Sequence, residues 1–234
     1  MPDSARLTDA GAAALATETL RLVASGQIVG LGTGRAATAF ARALGQRVAA
    51  GLDVRGVATS EAAAAVARAL GIKLVSLDDV DVVDVAVDGA DEVDPRGDLI
   101  KGYGGALLRE KVVASVARRF VVLVGREKLV PVLGSRGRLP VEVVPFAVAP
   151  CRRRLEAMGC PADVRMQDGR PAITDNGNLL LDAAVRPITD ARGLESAIRA
   201  IPGVVATGLF LGMAPTVLLW DGERCRQLPR EGRN

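Results

Sequence analysis

At 234 residues the chain is long enough for one compact domain, or one domain and a small insertion, with room for a sizeable core. Hydrophobic residues make up 49% and charged ones 24%, and 30 bases interspersed with 27 acids leave a net charge of +3. The one compact basic run, Arg152-Arg153-Arg154, reads as a solvated helix face, and 3% aromatics give no stacking platform, so no nucleic-acid partner is expected.

In chain order, residues 5–23 read as a helix ended by Ser25-Gly26, then 27–31 as a short strand, 32–35 as a tight loop and 37–50 as a second helix. Residues 54–58 read as a strand, 61–70 as a helix stopped by Gly71, and 72–75 as another strand. Strands at 82–87 and 120–124 enclose a helix at 106–117. Strands alternating with helices predict an α/β fold with a doubly wound, mainly parallel sheet. From about Leu139 the pattern changes to a strand at 141–144, a helix at 151–158 and a hairpin pairing 163–167 with 172–175 around Asp168-Gly169. Asn176-Gly177 turns the chain into a strand at 178–185, and a helix at 191–200 follows. These elements suit a small antiparallel α+β insertion over 139–203, within an α/β domain formed by 1–138 and 204–234. Residues 204–210 and 216–220 are expected to rejoin the first sheet.

Cys151, Cys160 and Cys225 have no metal-like spacing and are odd in number, which favours a reduced, cytoplasmic setting. The polar start, Met1 to Arg6, lacks a signal-peptide core. Ile201 to Trp220 holds 20 residues without a charge, but Pro202, Pro215 and three glycines make it read as buried strands and turns rather than a membrane span. There is no histidine, which removes a histidine base, a Ser-His-Asp triad and histidine-ligated metal. Only Lys73, Lys101, Lys111 and Lys128 are lysines, so those positions are candidates for a compact ammonium in a chain that otherwise uses arginine.

The most informative stretch is Val87-Asp88-Gly89-Ala90-Asp91-Glu92-Val93-Asp94 followed by Lys101-Gly102-Tyr103-Gly104-Gly105-Ala106-Leu107-Leu108-Arg109-Glu110-Lys111. An apolar strand ends in two carboxylates, and a lysine, a glycine-rich turn and a glutamate near a helix start come next. Ligands of open α/β sheets bind at the carboxyl ends of strands. Carboxylates, a cation and exposed backbone N–H groups are the parts for moving a proton beside a carbonyl. Glu92 and Asp94 are expected to face water. Gly30-Leu31-Gly32-Thr33-Gly34 invites a dinucleotide reading, but Arg35 stands where the third glycine of that fingerprint belongs. A Gly-Thr-Gly turn entering a helix reads better as an anion cradle, or as a plain tight turn.

Together with Leu139-Pro140-Val141-Glu142-Val143-Val144-Pro145, Thr174-Asp175-Asn176-Gly177-Asn178 and Ala200-Ile201-Pro202-Gly203-Val204-Val205, these motifs resemble the type A ribose-5-phosphate isomerases over nearly the whole chain. The resemblance implies a Rossmann-like sheet with a ferredoxin-like insertion, a homodimer or homotetramer, and no cofactor or metal. It implies aldose–ketose isomerisation of ribose 5-phosphate and ribulose 5-phosphate through an enediolate, in the non-oxidative pentose phosphate pathway. Glu110 is then the proton-transferring base, with first-turn dipole complementarity as its plainer role. Asp88 and Lys101 match residues that open the sugar ring and handle hydroxyl protons, and Asp91 one that holds hydroxyls or orients Lys101. Gly102, Tyr103 and Gly104 offer backbone N–H groups to the enediolate oxygen, while Thr33, Gly34 and Lys128 match the phosphate site.

Several positions depart from the family's pattern. Arg35-Ala36 stands for Ser-Thr, no lysine occurs before Lys73, Tyr103 replaces a glycine and Leu108 a threonine. Arg35 either grips the phosphate or fills its pocket. Two alternatives follow: an isomerase of another pentose phosphate or sugar derivative, and a sugar-phosphate sensor domain that does not turn its ligand over. Retention of Glu110 and lack of a helix-turn-helix extension speak against the sensor.

Overall fold

The computed structural model describes residues 6–229, so residue 5, where the expected first helix begins, lies outside the described residues. In chain order the elements are α1 (Asp9–Leu20), β1 (Ile28–Leu31), α2 (Arg35–Ala49), β2 (Arg55–Ala58), α3 (Glu61–Ala69), β3 (Lys73–Leu74), β4 (Val83–Asp88), β5 (Glu92–Val93), β6 (Leu99–Ile100), α4 (Leu107–Ser115), β7 (Ala117–Gly125) and β8 (Arg138–Val143). They continue with α5 (Val148–Ala157), β9 (Ala162–Val164), β10 (Met166–Gln167), β11 (Arg170–Pro171), β12 (Leu179–Ala184), α6 (Ala191–Arg199), β13 (Val204–Thr207), β14 (Leu209–Phe210), β15 (Thr216–Trp220) and β16 (Cys225–Gln227).

Two compact units result. The first comprises Met1–Ala90, Arg109–Leu129 and Met213–Asn234, and the second Asp91–Leu108 and Val130–Gly212. The second unit is thus larger than the expected insertion. It adds 91–108, 130–138 and 204–212, because β5, β6 and β14 form a three-stranded sheet there and β13 pairs with β8.

In the first unit a seven-stranded sheet has the order β16-β15-β7-β4-β1-β2-β3. All neighbours are parallel except the edge strand β16, which runs antiparallel to β15 and carries no apolar run to reveal it in the sequence. The core packs Leu15, Phe40 and Leu44 of α1 and α2 against Val29, Val85, Val87, Val121 and Leu123 of the sheet. Strand β1 is buried at every position, as a strand covered on both faces must be. The first helix is capped by Thr8, whose side chain accepts from Gly11 N–H, and α3 likewise by Ser60 from Ala63 N–H.

In the second unit a four-stranded antiparallel sheet has the order β13-β8-β12-β9. Its core gathers Leu139, Val141, Leu155, Leu181, Ile198 and Ile201. The expected hairpin forms around Asp168 (φ +50°) and Gly169 (φ +77°), both in the left-handed region a two-residue Asp-Gly turn requires. It is shorter than expected: β10 and β11 pair over two residues each, while Ala162–Val164 pairs with β12 instead. The expectation for 204–210 also fails. β13 joins β8 and β14 joins β6, and only β15 enters the parallel sheet. Periodicity alone does not distinguish these partners.

Gly30 shows how the first sheet admits α4. A Cβ there would lie 2.7 Å from Val113 Cγ1 and 3.0 Å from Ala86 Cβ, so only glycine lets the helix rest on β1. Gly30→Val should therefore destabilise the fold by ~1–3 kcal/mol through overpacking, seen as a lower midpoint in thermal denaturation. An unchanged midpoint would mean that α4 does not bear on this strand.

Candidate active site

Strands β1 and β4 are neighbours, and the chain leaves them in opposite directions across the sheet, β1 towards β2 and β4 towards β7. Such a switch point opens a crevice at the carboxyl ends of the strands. In the first unit that crevice receives Thr33, Gly34, Asp88 and Glu110. Asp88, 3% exposed, ends β4 and accepts through Oδ1 from Thr33 N–H (3.2 Å) and Gly89 N–H (2.8 Å). The Thr33 hydroxyl bonds Thr59 (3.1 Å) and Ser60 (2.8 Å). Gly34, at φ +99°, opens α2 with no side-chain cap, so the first N–H groups of this helix remain available to an anion.

Glu110 is 5% exposed and lies one turn before Val113, the residue that rests on Gly30. Helix α4 leads directly into the parallel strand β7, so its N-terminal turn lies at the carboxyl edge of the sheet. Glu110 therefore stands at the same edge as Asp88. Lys128 follows β7 in a short 3₁₀ turn, Arg126–Lys128, is half-buried, and forms no ion pair among the described residues. Arg35 donates from Nη1 to the Leu7 carbonyl at 2.6 Å, which draws its guanidinium to the segment entering α1.

The second unit holds the other share of the predicted residues. Lys101 is 3% exposed, with its ammonium 5.6 Å from the centre of the Phe210 ring. Gly102 takes φ +104°, and a Cβ there would strike Leu107 at 2.8 Å. Asp91 accepts from Tyr103 N–H at 2.9 Å, so of the three turn N–H groups expected to serve the enediolate, this one is already engaged. Glu92 and Asp94 do not face water. Glu92 is fully buried and accepts from Gly134 N–H (2.7 Å) and Arg136 N–H (2.9 Å). Asp94, 6% exposed, accepts from Arg96 N–H and Asp98 N–H, and burial raises its carboxyl above the ordinary value. Both carboxylates replace missing backbone partners in loops, a role that a run of acids does not reveal.

Sequence reasoning missed Arg138, Arg165 and Asp182. Arg165 pairs with Asp182 through Nε (3.0 Å) and Nη2 (2.5 Å), and its Nη1 donates to the carbonyls of Gly102 (2.8 Å) and Tyr103 (3.1 Å). Arg138 joins Asp182 at 2.7 Å and lies 4.7 Å from the centre of the Tyr103 ring. Burial alone would raise Asp182, but hydrogen bonds and charge from Arg165 and Arg138 outweigh it and hold the carboxyl below its usual 3.8. Two departures are explained here. Tyr103 packs under Arg138 and donates to its carbonyl at 3.2 Å, and Leu108 joins the apolar cluster of Leu107, Leu180 and Ala206.

Among the described residues no cluster of His, Cys, Asp and Glu could hold a metal ion, all three cysteines are free, and no helix is long and apolar enough to cross a membrane.

The profile of the family described as ribose 5-phosphate isomerase A (phosphoriboisomerase A) matches residues 55–223. The chain is 46% identical over 222 residues to "Ribose-5-phosphate isomerase A" of Rhodopseudomonas palustris strain TIE-1, covering 92% of this chain and 95% of that protein. The solved ribose 5-phosphate isomerase A of Methanocaldococcus jannaschii superposes with a TM-score of 0.88 at 42% identity, covering 94% of this chain and 98% of that one. A D-ribose-5-phosphate isomerase in complex with phospho-erythronic acid superposes with a TM-score of 0.90 at 39% identity, covering 94% and 97%.

Burial is the largest influence on the Tyr103 hydroxyl and pushes its pKa from 10.0 up to about 12, with Glu92 and Asp91 adding to the rise. The neutral ring is thus favoured by folding, and the stability this brings is present below pH 10.0 and lost as pH rises through about 12. As the only tyrosine in the chain, Tyr103 reports alone in ultraviolet absorbance. Its tyrosinate signal should appear with a midpoint near 12, and a midpoint at 10.0 would show a solvated ring.

Proposed function

As the chain belongs to the ribose 5-phosphate isomerase A family, we propose that it interconverts D-ribose 5-phosphate and D-ribulose 5-phosphate with Glu110 as the proton-transferring base. The observation that carries the role of Glu110 is its burial at the sheet's carboxyl edge, on the helix turn that shares this edge with Asp88. In the open-chain aldose the Glu110 carboxylate takes the proton from C2, and the electron pair moves through the C1–C2 bond onto O1. The resulting enediolate regains the proton from Glu110 at C1, while the O2 hydroxyl proton passes to O1, leaving the C1 hydroxyl and the C2 ketone. Lys101 supplies positive charge to the enediolate oxygens and, with Asp88, handles the hydroxyl protons and ring opening. Asp91 holds hydroxyls beside Lys101. Gly102, Tyr103 and Gly104 form the turn against which the oxygens lie, with the N–H groups of Gly102 and Gly104 as its donors.

The phosphate is held by the uncapped N-terminus of α2 at Gly34, with Thr33, Arg35 and Lys128 around it. Donation of one Arg35 N–H to Leu7 leaves further guanidinium N–H groups for the anion. The relative bound to phospho-erythronic acid supports this reading, because a sugar-acid carboxylate presents two planar oxygens as an enediolate does. The reaction belongs to the non-oxidative pentose phosphate pathway. A cytoplasmic setting and a homodimeric or homotetrameric assembly go with this reading, and the free cysteines support the first.

Incubation with ribose 5-phosphate in heavy water should give ribulose 5-phosphate with exchange of the transferred hydrogen. Glu110→Gln keeps shape but loses basicity, and kcat should fall by ~10²–10⁴-fold. A variant retaining more than about a tenth of the rate would identify another base. Arg35→Ala should raise KM for ribose 5-phosphate about tenfold, as expected for loss of a charge-assisted hydrogen bond, with kcat little changed. Equal or better use of ribose 5-phosphate by that variant would mean that Arg35 obstructs the phosphate site.

A further inference from the structure

We infer that Arg165 is a positioning residue for the isomerisation, acting on Asp91 through the peptide group between Gly102 and Tyr103. Both ends of that one peptide are engaged. Its carbonyl, on Gly102, accepts from Arg165 Nη1 at 2.8 Å, and its N–H, on Tyr103, donates to Asp91 Oδ2 at 2.9 Å. A peptide group is planar, so fixing the carbonyl fixes the direction of the N–H. A cation at one end and a carboxylate at the other also polarise the peptide in the same sense, which strengthens both hydrogen bonds. The same Nη1 reaches the next carbonyl, Tyr103, at 3.1 Å, so two successive carbonyls are gathered on one guanidinium.

Arg165 is itself fixed. Its side chain is 12% exposed and its Nε and Nη2 face both oxygens of Asp182, which Arg138 also grips at 2.7 Å. A planar fork holds a carboxylate on one edge and carbonyls on another, which an ammonium does not reproduce. Gly102, at φ +104°, adopts a backbone conformation that favours glycine, so the turn depends on contacts of this kind to keep its shape. Asp182 and Arg165 lie far from the acidic motif in sequence, on β12 and just after β9, and no motif joins them to it.

The inference rests on the reading that Asp91 contributes to turnover. Steady-state kinetics with ribose 5-phosphate on Arg165→Met, Asp91→Ala and the double variant separate the two, at a temperature where circular dichroism shows each folded. Arg165→Met should lower kcat about tenfold or more, the factor for losing a charge-assisted hydrogen bond, with KM changed far less. In the Asp91→Ala background the same substitution should cost almost nothing further, since its effect passes through Asp91. Multiplying losses in the double variant would reduce Arg165 to general support of the fold and overturn the inference. Full activity of Asp91→Ala would overturn the role of Asp91 instead. Should Arg165→Met not fold, Asp182→Asn weakens the same grip while keeping an acceptor. It should give a smaller kcat loss that also vanishes without Asp91, and a loss that persists there overturns the inference equally.

Discussion

The hydrogen bond from Thr33 N–H to the Asp88 carboxylate ties the loop after β1 to the end of β4, and the candidate residues Thr33, Gly34 and Asp88 are arranged around it. Gly32 N–H reaches Val87 O at 2.9 Å one residue earlier, so the parallel ladder is continued past the formal end of β1. The close approach requires glycine at 32, where a Cβ would collide with the Asp88 carboxyl and lie 2.6 Å from Val87 O. With two of its N–H groups turned inward to β4, the loop leaves those at the start of α2 facing out. One set of contacts therefore orients a buried carboxylate and leads into a helix end that has no side-chain cap. A buried carboxylate is tolerable only when hydrogen-bonded, and backbone N–H groups meet that need without adding a competing charge.

The second unit solves the same problem with arginine. Two carbonyls of its glycine-rich turn, on Gly102 and Tyr103, are collected by Arg165, whose charge Asp182 balances. A part-buried ion pair of this kind adds little net stability against an apolar replacement, because desolvation offsets much of the attraction. Its value is geometric: the pair has one good arrangement, and the turn inherits it. Acid weakens it, since a carboxyl held below 3.8 contributes stability above that pH and loses it as pH falls further.

The parallel sheet was legible because β1, β4 and β7 are apolar runs between helical periods. Short strands were not legible. Glu92–Val93, Leu99–Ile100 and Leu209–Phe210 have two residues each, too few for any period, and are set by pairing across the fold. Among the candidate residues, Asp88, Lys101 and Glu110 stood out as charges beside glycines or at element ends. Arg165 and Asp182 did not, because a charged residue in a half-exposed strand pattern looks like ordinary surface until its partners are placed. The Leu139–Pro145 and Thr174–Asn178 motifs were likewise visible but mute. They meet at Glu142, fully buried, whose Oε1 accepts from Thr174 (3.0 Å), Asn176 (3.1 Å) and Asn178 (2.9 Å), a structural use that spacing alone does not disclose.

The sparing use of lysine acquires a physical sense in the same terms. Arg165 and Arg152 act as forks, the first on carbonyls and Asp182 and the second on the Ala162 carbonyl and Asp163, while Arg138 gives Asp182 one bond. Their charge is spread and their geometry is rigid, which suits holding a shape. Lys101 is different. It is a buried point charge with its ammonium 5.6 Å from the centre of the Phe210 ring, and an ammonium carries its donors without a fixed fork. With histidine wholly lacking from the sequence, the proposed mechanism gives proton transfer to a carboxylate and the matching charge to this ammonium. A guanidinium at 101 would bring a second fork beside a turn already held by one. Lys101 and these arginines therefore differ in kind: a compact charge at 3% exposure in one case, planar donors spread over carbonyls and carboxylates in the other.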